Sequence, residues 1–510
     1  MVSGIQKLED AVLNRPQASV NVATHLRRMA DRYPQRPAVV VALPTPHSRP
    51  SRYRQVTFAE LETLTNRYAN GLTEIGIARG TRTLVMVKPG IEFTGLIFAM
   101  FKMAAVPVLI DPGMGAKRLL QCIRQIQPQA MIGTPLAHAL RTLRPQAFRS
   151  VRRAVTVGRR WFWGGPTLDR IQQSAGDCFN PVNTQAHDEA AVLFTSGATG
   201  VAKGVRYHHG MFVNQVRMIQ SLYDIQPGEV DLSCFPLFAL FCAALGTTSV
   251  IPDMDASRPG AADPKKIIRA INDQATTSSF GSPALWERVA RHCLRDNLRL
   301  TSLRRVLIAG APVSPQLLDR LGRVLDASAE VHTPYGATEA LPIASISAAQ
   351  VLGTTGAQSA QGAGTCVGKP APDTQVRIIR IVDQAIAQWS DDLPLPPGPI
   401  GEIVVAGPVV TRQYVGLPEA TCLAQIPEGD TVWHRVGDVG YLDDRGLLWY
   451  CGRKSHRVTT DTGVLFTVPC EAIFNEHPDV FRSALIGLGP PEHQRPVIII
   501  QPEAGRLTRA

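Results

Sequence analysis

From about residue 80, short runs of β-branched residues alternate with segments whose apolar residues recur at helical spacing. Residues 83–87 predict a strand, residues 91–105 a helix, and residues 106–110 a buried strand. The alternation continues to a strand at residues 190–195, and a second block of the same kind covers residues 248–333. Strands that alternate with helices predict mostly parallel sheets with helices on both faces. Ligands of such sheets bind beyond the carboxyl ends of the strands.

Past about residue 374 the pattern changes to closely spaced short strands. Residues 376–381 and 402–406 predict strands, and residues 433–450 predict a meander. This change predicts a compact β lobe at about residues 374–454. A stretch rich in small residues and glutamine, residues 357–364, predicts a flexible loop.

These patterns together predict an α/β fold. We expect a large N-terminal region of mostly parallel sheets covered by helices, with the β lobe as its last part. A smaller terminal piece is expected to follow.

Composition narrows the class of protein. Of the 510 residues, 45% are apolar and 19% are charged, which is typical of a globular enzyme and excludes a disordered chain or a coiled coil. The nine cysteines form no C-x-x-C pair and no zinc-binding spacing, so we expect reduced thiols and a cytoplasmic location. Charged residues at Lys7, Glu9 and Asp10 argue against a signal peptide. Lys102 interrupts the longest apolar run, which argues against a transmembrane segment.

The chain carries a formal net charge of +11. Lysines and arginines occur along its whole length, and such a charge predicts attraction of anionic substrates or of an acidic partner surface. No basic stripe with an aromatic recognition module is apparent, so nucleic acid is not a predicted partner. The densest cluster, Arg152-Arg153 with Arg159-Arg160, is interpreted as a solvated loop.

A glycine-rich segment follows the strand predicted at residues 190–195. Its three glycines allow backbone N–H groups to converge on an anion, and its hydroxyls and one lysine add donors, which favours phosphate binding over an ordinary loop. The spacing does not match G-x-x-x-x-G-K-[ST], so a Walker-type NTPase is not predicted. The candidate phosphate-binding residues are Thr195, Ser196, Gly197, Ala198, Thr199, Gly200 and Lys203.

The order T-S-G-x-T-G-x-x-K-G resembles the signature loop of the AMP-forming adenylation superfamily, which includes acyl-CoA synthetases and luciferases. Further motifs of that superfamily follow in its order. Tyr335-Gly336-Ala337-Thr338-Glu339 resembles the Y-G-x-T-E segment, and Gly310-Ala311-Pro312 resembles the loop beside adenine. Asp438, in H-R-V-G-D, resembles the ribose-binding aspartate. Gly452-Arg453 resembles the start of the hinge motif, which places the hinge at Ser455.

The resemblance implies ATP and Mg²⁺ as cofactors. It implies that Tyr335 packs on adenine, that Thr338 reaches phosphate and that Glu339 helps hold Mg²⁺, a hard cation that prefers carboxylate oxygen. Lys203, Thr338 and Glu339 are therefore the predicted catalytic residues, with Asp438 and Arg453 in contact with the nucleotide. A turn in which Thr338 caps a following helix is the alternative interpretation of this segment.

Phe235-Pro236-Leu237-Phe238-Ala239-Leu240-Phe241 lacks the histidine that the superfamily often has there. It resembles instead the segment of the β-lactone synthetases of bacterial olefin biosynthesis. That resemblance implies conversion of a 2-alkyl-3-hydroxy fatty acid to a β-lactone with release of AMP and pyrophosphate, and it implies partner enzymes of the same pathway. Aromatic residues this close are also typical of a core. The candidate substrate-pocket residues are Phe235, Phe238, Phe241, Leu245 and Gly281.

Adenylation enzymes carry a terminal domain with a lysine that reaches the active site. The resemblance therefore implies an adenylation domain at residues 1–454 and a small, incomplete α+β C-terminal domain at residues 455–510. Only residues 456–510 follow Ser455, so no terminal lysine can be assigned. Two alternative functions stay open: a fatty acyl-AMP or acyl-CoA ligase with an external acceptor, and a catalytically impaired paralogue that binds nucleotide or partner proteins.

Overall fold

A computed structural model of the protein describes residues 20–46, 48–195 and 202–503. The described chain forms two compact units. The first contains residues 20–230, within the described ranges, and residues 236–253, and the second contains residues 231–235 and 254–503. Both combine helices with sheets, so the predicted α/β class is confirmed. The predicted domain boundary at residue 455 stays a prediction.

The strands carry the numbers used below. In chain order they are β1 (Pro37–Leu43), β2 (Arg52–Thr57), β3 (Arg82–Met86), β4 (Val106–Leu109), β5 (Ala130–Gly133), β6 (Arg153–Thr156), β7 (Glu189–Phe194), β8 (Gly204–His208), β9 (Val230–Ser233), β10 (Thr248–Ile251), β11 (Ser278–Gly281), β12 (Arg305–Ile308), β13 (Glu330–Ala337), β14 (Ala340–Ser347), β15 (Thr365–Pro370), β16 (Gln375–Ile379), β17 (Gly401–Ala406), β18 (Gln425–Glu428), β19 (Thr431–Leu442), β20 (Leu448–Arg453), β21 (Val458–Thr460), β22 (Gly463–Leu465), β23 (Val480–Leu488) and β24 (Arg495–Pro502).

Helices connect most of the strands up to β13. The α-helices are Ala23–Arg32, Phe58–Glu74, Ile91–Lys102, Ala116–Ile126, Pro135–Leu143, Leu168–Ser174, His209–Tyr223, Pro236–Leu245, Pro264–Asp273, Pro283–Arg295, Pro315–Val324, Pro418–Ala424 and Thr467–Asn475. Short 3₁₀ turns lie at Pro112–Met114, Pro145–Phe148, Pro259–Ala261 and Lys454–His456.

In the first unit, six strands form one sheet in the order β6-β5-β3-β4-β7-β8. All neighbours are parallel except β7 and β8. The strands are nearly continuous runs of apolar residues, as expected where helices cover both faces. In the same unit β1 pairs with β10 in parallel and with β2 in antiparallel orientation. In the six-stranded sheet, the carboxyl end of β7 lies directly before the glycine-rich segment.

The helix Ile91–Lys102 is buried almost throughout and ends in a buried cation. Lys102 Nζ lies 2.6 Å from Glu62 Oε1 and 2.5 Å from Asn66 Oδ1. Burial lowers the pKa of Lys102, and the ion pair with Glu62 opposes that shift. None of the helices that the structure describes is both long enough and apolar enough to cross a bilayer.

In the second unit, the strands follow the order β16-β17-β19-β20-β15-β14-β13-β12-β11-β9, with β18 beside β19. β9, β11, β12 and β13 run parallel, and the later strands of this sheet pair in antiparallel orientation. The meander predicted at residues 433–450 is the hairpin of β19 and β20. Buried Trp433 and Trp449 on these two strands anchor the lobe, since neither is more than 2% exposed.

The prediction of a flexible loop at residues 357–364 is wrong, because residues 348–363 form successive irregular helical turns. Ser347 and Gln350 cap the first turn reciprocally. The alanines and glutamines that suggested a biased loop are good helix formers. The segment ends at Gly362, whose φ of 89° is in the left-handed region and where a Cβ would lie 3.1 Å from Ile473 Cδ1.

Two histidines in the first unit, buried His209 and half-buried His25, predict sensitivity to acid. Val22 N–H donates to His209 Nδ1 at 3.3 Å, and burial lowers the pKa of His25 and of His209 to about 4. The unfolded chain binds these protons near pH 6.5, so this contribution is complete above pH 6.5 and is lost as the pH falls towards 4. We expect the free energy of unfolding to fall by roughly 3 kcal/mol per histidine over that range. Urea denaturation at pH 7.5 and at pH 4 measures it.

The doubly substituted variant His25→Gln/His209→Gln is the control for this prediction. It is expected to be less stable at pH 7.5 but to lose less of its stability on acidification. An equal loss in both proteins would show that other groups, such as paired carboxylates, cause the acid sensitivity.

Candidate active site

The base of the glycine-rich loop is closed by the two residues that flank it. Thr195 N–H donates to Lys203 O at 3.0 Å, and Lys203 N–H donates to Thr195 Oγ1 at 3.3 Å. Antiparallel pairing of Phe194 with Gly204 continues this closure into β7 and β8. Lys203 is thereby fixed opposite Thr195 at the carboxyl end of a parallel strand. The other predicted loop residues, Ser196, Gly197, Ala198, Thr199 and Gly200, lie outside the described residues.

Three predicted segments of the second unit share one edge of its sheet. Gly281 ends β11, Gly310-Ala311-Pro312 follows β12, and the Tyr335 segment follows in β13. Because β11, β12 and β13 are parallel neighbours, their carboxyl ends meet at the same edge. The exposed Gly310 has a φ of 93°, which suits glycine in this strand-to-helix turn. The edge is where ligands of parallel sheets bind.

The Y-G-x-T-E segment is part of a β-hairpin. β13 continues through Ala337, which pairs with Ala340 of β14, so Thr338 and Glu339 are the two turn residues. The alternative in which Thr338 caps a helix is therefore wrong, because a strand follows. At Gly336 a Cβ would lie 2.7 Å from Ala340 O, so close backbone approach within the hairpin requires glycine there.

Asp438 is the centre of a buried polar cluster in the second unit. Tyr335 Oη donates to Asp438 Oδ2 at 2.6 Å, and Arg453 Nη1 lies 2.8 Å from Asp438 Oδ1. Asp438 and Arg453 are directly opposite each other on β19 and β20, so strand register creates the ion pair. The sequence motifs had predicted all three residues at one nucleotide site, and the fold brings them together.

The electrostatics of this cluster suit a carboxylate that accepts hydrogen bonds. Burial raises the pKa of Asp438 to about 6, although Arg453 and the hydrogen bond from Tyr335 oppose the shift. Burial beside Asp438 also raises the pKa of Tyr335, so its hydroxyl stays a donor at neutral pH. Arg453 Nη1 pairs with Oδ1, and each carboxylate oxygen has a second lone pair that can accept a further hydrogen bond. The carboxylate can thus accept from an incoming hydroxyl in addition to its present partners.

Glu339 has a partner that no sequence pattern indicated. Tyr414 Oη donates to Glu339 Oε1 at 2.7 Å, and Thr411 N–H donates to Glu339 O at 2.8 Å. These contacts fix the carboxylate at the hairpin turn. Tyr414 lies in an irregular segment 75 residues further along the chain, and only the folded sheet shows that the two meet.

Arg435, three residues before Asp438, belongs to a buried ion-pair network that stabilises the fold. Its guanidinium lies 2.7 Å from Glu402 Oε2, and the two side chains are only 2% and 1% exposed. Three backbone carbonyls accept its other N–H groups. Lys454 Nζ completes the cluster at 3.1 Å from Glu402 Oε1. This buried network anchors the strand that presents Asp438.

The strand end at Arg453 is tightly packed. Gly452 has a φ of 131°, and a Cβ there would lie 2.4 Å from Thr467 Oγ1. A side chain at this position would be strained by the backbone conformation and would have to displace the Thr467 side chain. Ser455, the predicted hinge, is exposed in the turn Lys454–His456 and follows the anchored Lys454.

The candidate pocket residues divide between the two units. In the first, the Phe238 and Phe241 rings lie 6.0 Å apart, Phe241 also contacts Phe212, and Leu245 is buried. In the second, Phe235 is 46% exposed and its ring lies 5.9 Å from that of Phe280.

Packing against a neighbouring side chain requires glycine at position 281. A Cβ there would lie 2.8 Å from Nε1 of the fully buried Trp286. The indole occupies the space that a side chain at position 281 would need. Packing alone therefore explains this glycine, and its place in a substrate pocket stays a prediction.

Comparison with known proteins extends these findings. A model of the family described as AMP-binding enzyme matches residues 26–415. The chain is 46% identical to an olefin beta-lactone synthetase of Xanthomonas campestris pv. campestris, over 95% of this chain and 87% of that protein. It is 44% identical to an olefin beta-lactone synthetase of Stenotrophomonas maltophilia, over 96% of this chain and 88% of that protein.

Solved structures give the same fold. The amide bond synthetase McbA from Marinactinospora thermotolerans superposes with a TM-score of 0.77 at 23% identity, over 96% of this chain and 90% of that one. The family match covers most of the chain, and it includes the hairpin that carries Tyr335, Thr338 and Glu339. From the ordered motifs, the Asp438 cluster and this match, we conclude that the chain belongs to the AMP-binding enzyme family.

Proposed function

We propose that the protein uses ATP to convert a 2-alkyl-3-hydroxy fatty acid into a β-lactone, as in olefin biosynthesis. The observation that carries the proposal is the buried Asp438 carboxylate, which Tyr335 and Arg453 hold in place and whose remaining lone pairs can accept from a hydroxyl donor. Ribose hydroxyls are such donors. Identity of 44% and 46% to two olefin beta-lactone synthetases supports the choice of acid and product.

The proposed reaction has two steps. A carboxylate oxygen of the fatty acid attacks the α-phosphorus of ATP. The bond from the α-phosphorus to the bridging oxygen breaks, and pyrophosphate leaves with that oxygen. The 3-hydroxyl oxygen then attacks the activated carbonyl carbon, loses its proton to solvent, and expels AMP with the former carboxylate oxygen. The second step is intramolecular, so proximity offsets part of the strain of a four-membered ring. No external thiol acceptor is needed.

Each predicted residue keeps the role that the family motifs imply. Tyr335 and the Gly310-Ala311-Pro312 turn would flank adenine, and Asp438 with Arg453 would bind the ribose. Lys203 and the hydroxyls of the glycine-rich loop and Thr338 would contact phosphate oxygens, whose charge increases as the α-phosphorus reacts. Phe235, Phe238, Phe241, Leu245 and Gly281 are proposed for the apolar substrate pocket.

Glu339 fits a magnesium ion that is bound mainly through phosphates. Its Oε1 accepts a hydrogen bond from Tyr414, and the second oxygen of a carboxylate can bind a cation. Among the described residues no cluster of three or more potential ligands exists, so a purely protein-bound metal does not fit. One carboxylate does fit Mg²⁺, which commonly takes one or two carboxylates and completes its shell with phosphate and water. The ion would neutralise phosphate charge.

Three further elements of the proposal concern the whole chain. We propose residues 455–510 as a separate C-terminal domain with its hinge at Ser455. A cytoplasmic enzyme is consistent with nine cysteines that are all free thiols in the described chain. Enzymes that supply the 3-hydroxy acid or consume the lactone are the proposed partners.

Product analysis tests this function. The purified full chain, incubated with ATP, Mg²⁺ and a 2-alkyl-3-hydroxy acid, is expected to yield AMP and β-lactone in equal amounts by mass spectrometry, with no need for CoA. A thioester formed only when CoA is present would favour an acyl-CoA ligase. ATP binding without pyrophosphate release from any fatty acid would favour an impaired paralogue.

A further inference from the structure

The charge of the chain is concentrated in one segment. Residues 112–168 contain one lysine, nine arginines and no aspartate or glutamate. The other 453 residues contain 43 basic and 42 acidic residues, so this segment supplies ten of the eleven net positive charges. Basic residues do occur throughout the chain, but outside this segment their number is matched by that of acidic residues. The excess positive charge therefore belongs to this segment.

The same segment exposes large apolar side chains. Phe162 is 77% exposed and Trp161 is 55% exposed, in the loop after β6. Leu136 and Leu143 are 79% and 72% exposed, and they lie seven residues apart on one face of the helix Pro135–Leu143. Leu136, Phe162 and Leu143 are the three most exposed large apolar side chains in the described chain. Exposed apolar surface of this kind marks an interaction site.

Packing places the loop beside the helix. Trp163 is buried, and its ring lies 5.3 Å from Trp161, 5.2 Å from Phe162 and 5.4 Å from His138 of the helix. Trp163 Nε1 also donates to Thr156 Oγ1 at 2.9 Å. β5 and β6 are parallel neighbours, so the helix and the loop leave the sheet at the same edge. The exposed rings therefore rest on an anchored base.

Exposed arginines flank these apolar residues along the chain. We call the whole surface the Trp161 patch, and its members are Leu136, Leu143, Trp161, Phe162, Arg144, Arg149, Arg152, Arg159 and Arg160. Arg160 donates to Gly165 O at 2.7 Å, which steadies the loop. The interpretation of this cluster as only a solvated loop is incomplete, since Arg153 begins β6 and the loop presents aromatic rings.

We propose that the Trp161 patch docks the protein on the surface of an anionic lipid bilayer. Tryptophan, phenylalanine and leucine insert at the boundary of headgroups and acyl chains, while arginines beside them attract anionic headgroups. An acidic protein or a nucleic acid would account for the arginines but not for apolar side chains that are more than half exposed. The inference does not depend on the proposed reaction, because it concerns binding alone.

Vesicle binding by the full chain tests the proposal. Wild-type protein is expected to co-float with vesicles of phosphatidylcholine and phosphatidylglycerol, but weakly with phosphatidylcholine alone, and 0.5 M salt is expected to reduce the binding. Each arginine near an anionic surface strengthens binding roughly fivefold. The triple variant Arg144→Gln/Arg149→Gln/Arg159→Gln is therefore expected to weaken binding about a hundredfold. Trp161→Ser/Phe162→Ser is expected to weaken it about tenfold or more.

Phe481→Ser is the matched control, because Phe481 is 50% exposed and lies beside Arg482 outside the patch. It is expected to bind vesicles as the wild type does, and circular dichroism checks that every variant is folded. Three results would overturn the proposal: no vesicle binding by wild type, equal binding by the Trp161→Ser/Phe162→Ser variant, or self-association through the patch without lipid. Binding to duplex DNA with no binding to vesicles would assign the patch to nucleic acid.

Discussion

Replacement of Asp438 by alanine is expected to lower kcat/KM for ATP by a hundredfold or more in a pyrophosphate-release assay. The variant removes a buried acceptor for ribose hydroxyls and leaves Arg453 and the Tyr335 hydroxyl without their partner. Hydrogen bonds to charged groups contribute about 1.5–3 kcal/mol each, so the loss of two accounts for this factor. Because the pKa of Asp438 is about 6, its carboxylate becomes protonated below that pH. ATP binding is therefore also expected to weaken as the pH falls below 6.

Asp444 provides the matched control for Asp438. It is exposed at the turn between β19 and β20, the two strands that carry Asp438 and Arg453. Asp444→Asn removes one negative charge from the same hairpin and is expected to leave kcat/KM unchanged. If folded Asp438→Ala protein releases pyrophosphate within threefold of the wild-type rate, the nucleotide does not use this carboxylate.

Replacement of Glu402 by alanine is expected to reduce the free energy of unfolding by about 3–5 kcal/mol. Glu402 is 1% exposed and pairs with both Arg435 and Lys454, so its loss leaves a buried guanidinium with no counter-charge. Urea denaturation monitored by tryptophan fluorescence measures the change, since Trp433 and Trp449 lie in the same lobe.

An exposed ion pair of the same unit is the control for Glu402. Arg380 and Asp392 are paired with side chains 55% and 69% exposed. Solvent screens such a pair, so Asp392→Asn is expected to shift the urea midpoint little or not at all. A similar shift in the two variants would show that burial of the Glu402 network does not determine its contribution.

Much of the site was predictable because its residues occur in local motifs. Tyr335, Thr338 and Glu339 are adjacent in sequence, and Asp438 and Arg453 each belong to a short segment with a glycine beside it. Strand alternation also placed the glycine-rich loop and the Tyr335 segment at the ends of strands, as β7 and β13 show. Local spacing was sufficient for these positions.

The partners of these residues were not predictable because they come from distant parts of the chain. Tyr414 meets Glu339 across 75 residues, and Arg435 meets Glu402 across 33. No periodicity links such distant positions. The loop expected at residues 357–364 was wrong for a different reason. Its small residues and glutamines were interpreted as a sign of flexibility, although alanine and glutamine are good helix formers and a capping box at Ser347 starts the helical turns. The charge excess was missed because basic residues were considered without the absence of acidic ones.

Isotopic labelling of the substrate carboxylate tests the central claim, adenylation followed by ring closure through the 3-hydroxyl. The purified chain is incubated with ATP, Mg²⁺ and a 2-alkyl-3-hydroxy acid whose two carboxylate oxygens are ¹⁸O. Mass spectrometry then measures the ¹⁸O content of AMP and of the lactone. The account predicts one ¹⁸O in AMP and one in the lactone, because the carboxylate oxygen that attacked phosphorus leaves with AMP. Unlabelled AMP together with a lactone that retains both labels would contradict it, since the ring would then have closed by carboxylate attack on an activated C3.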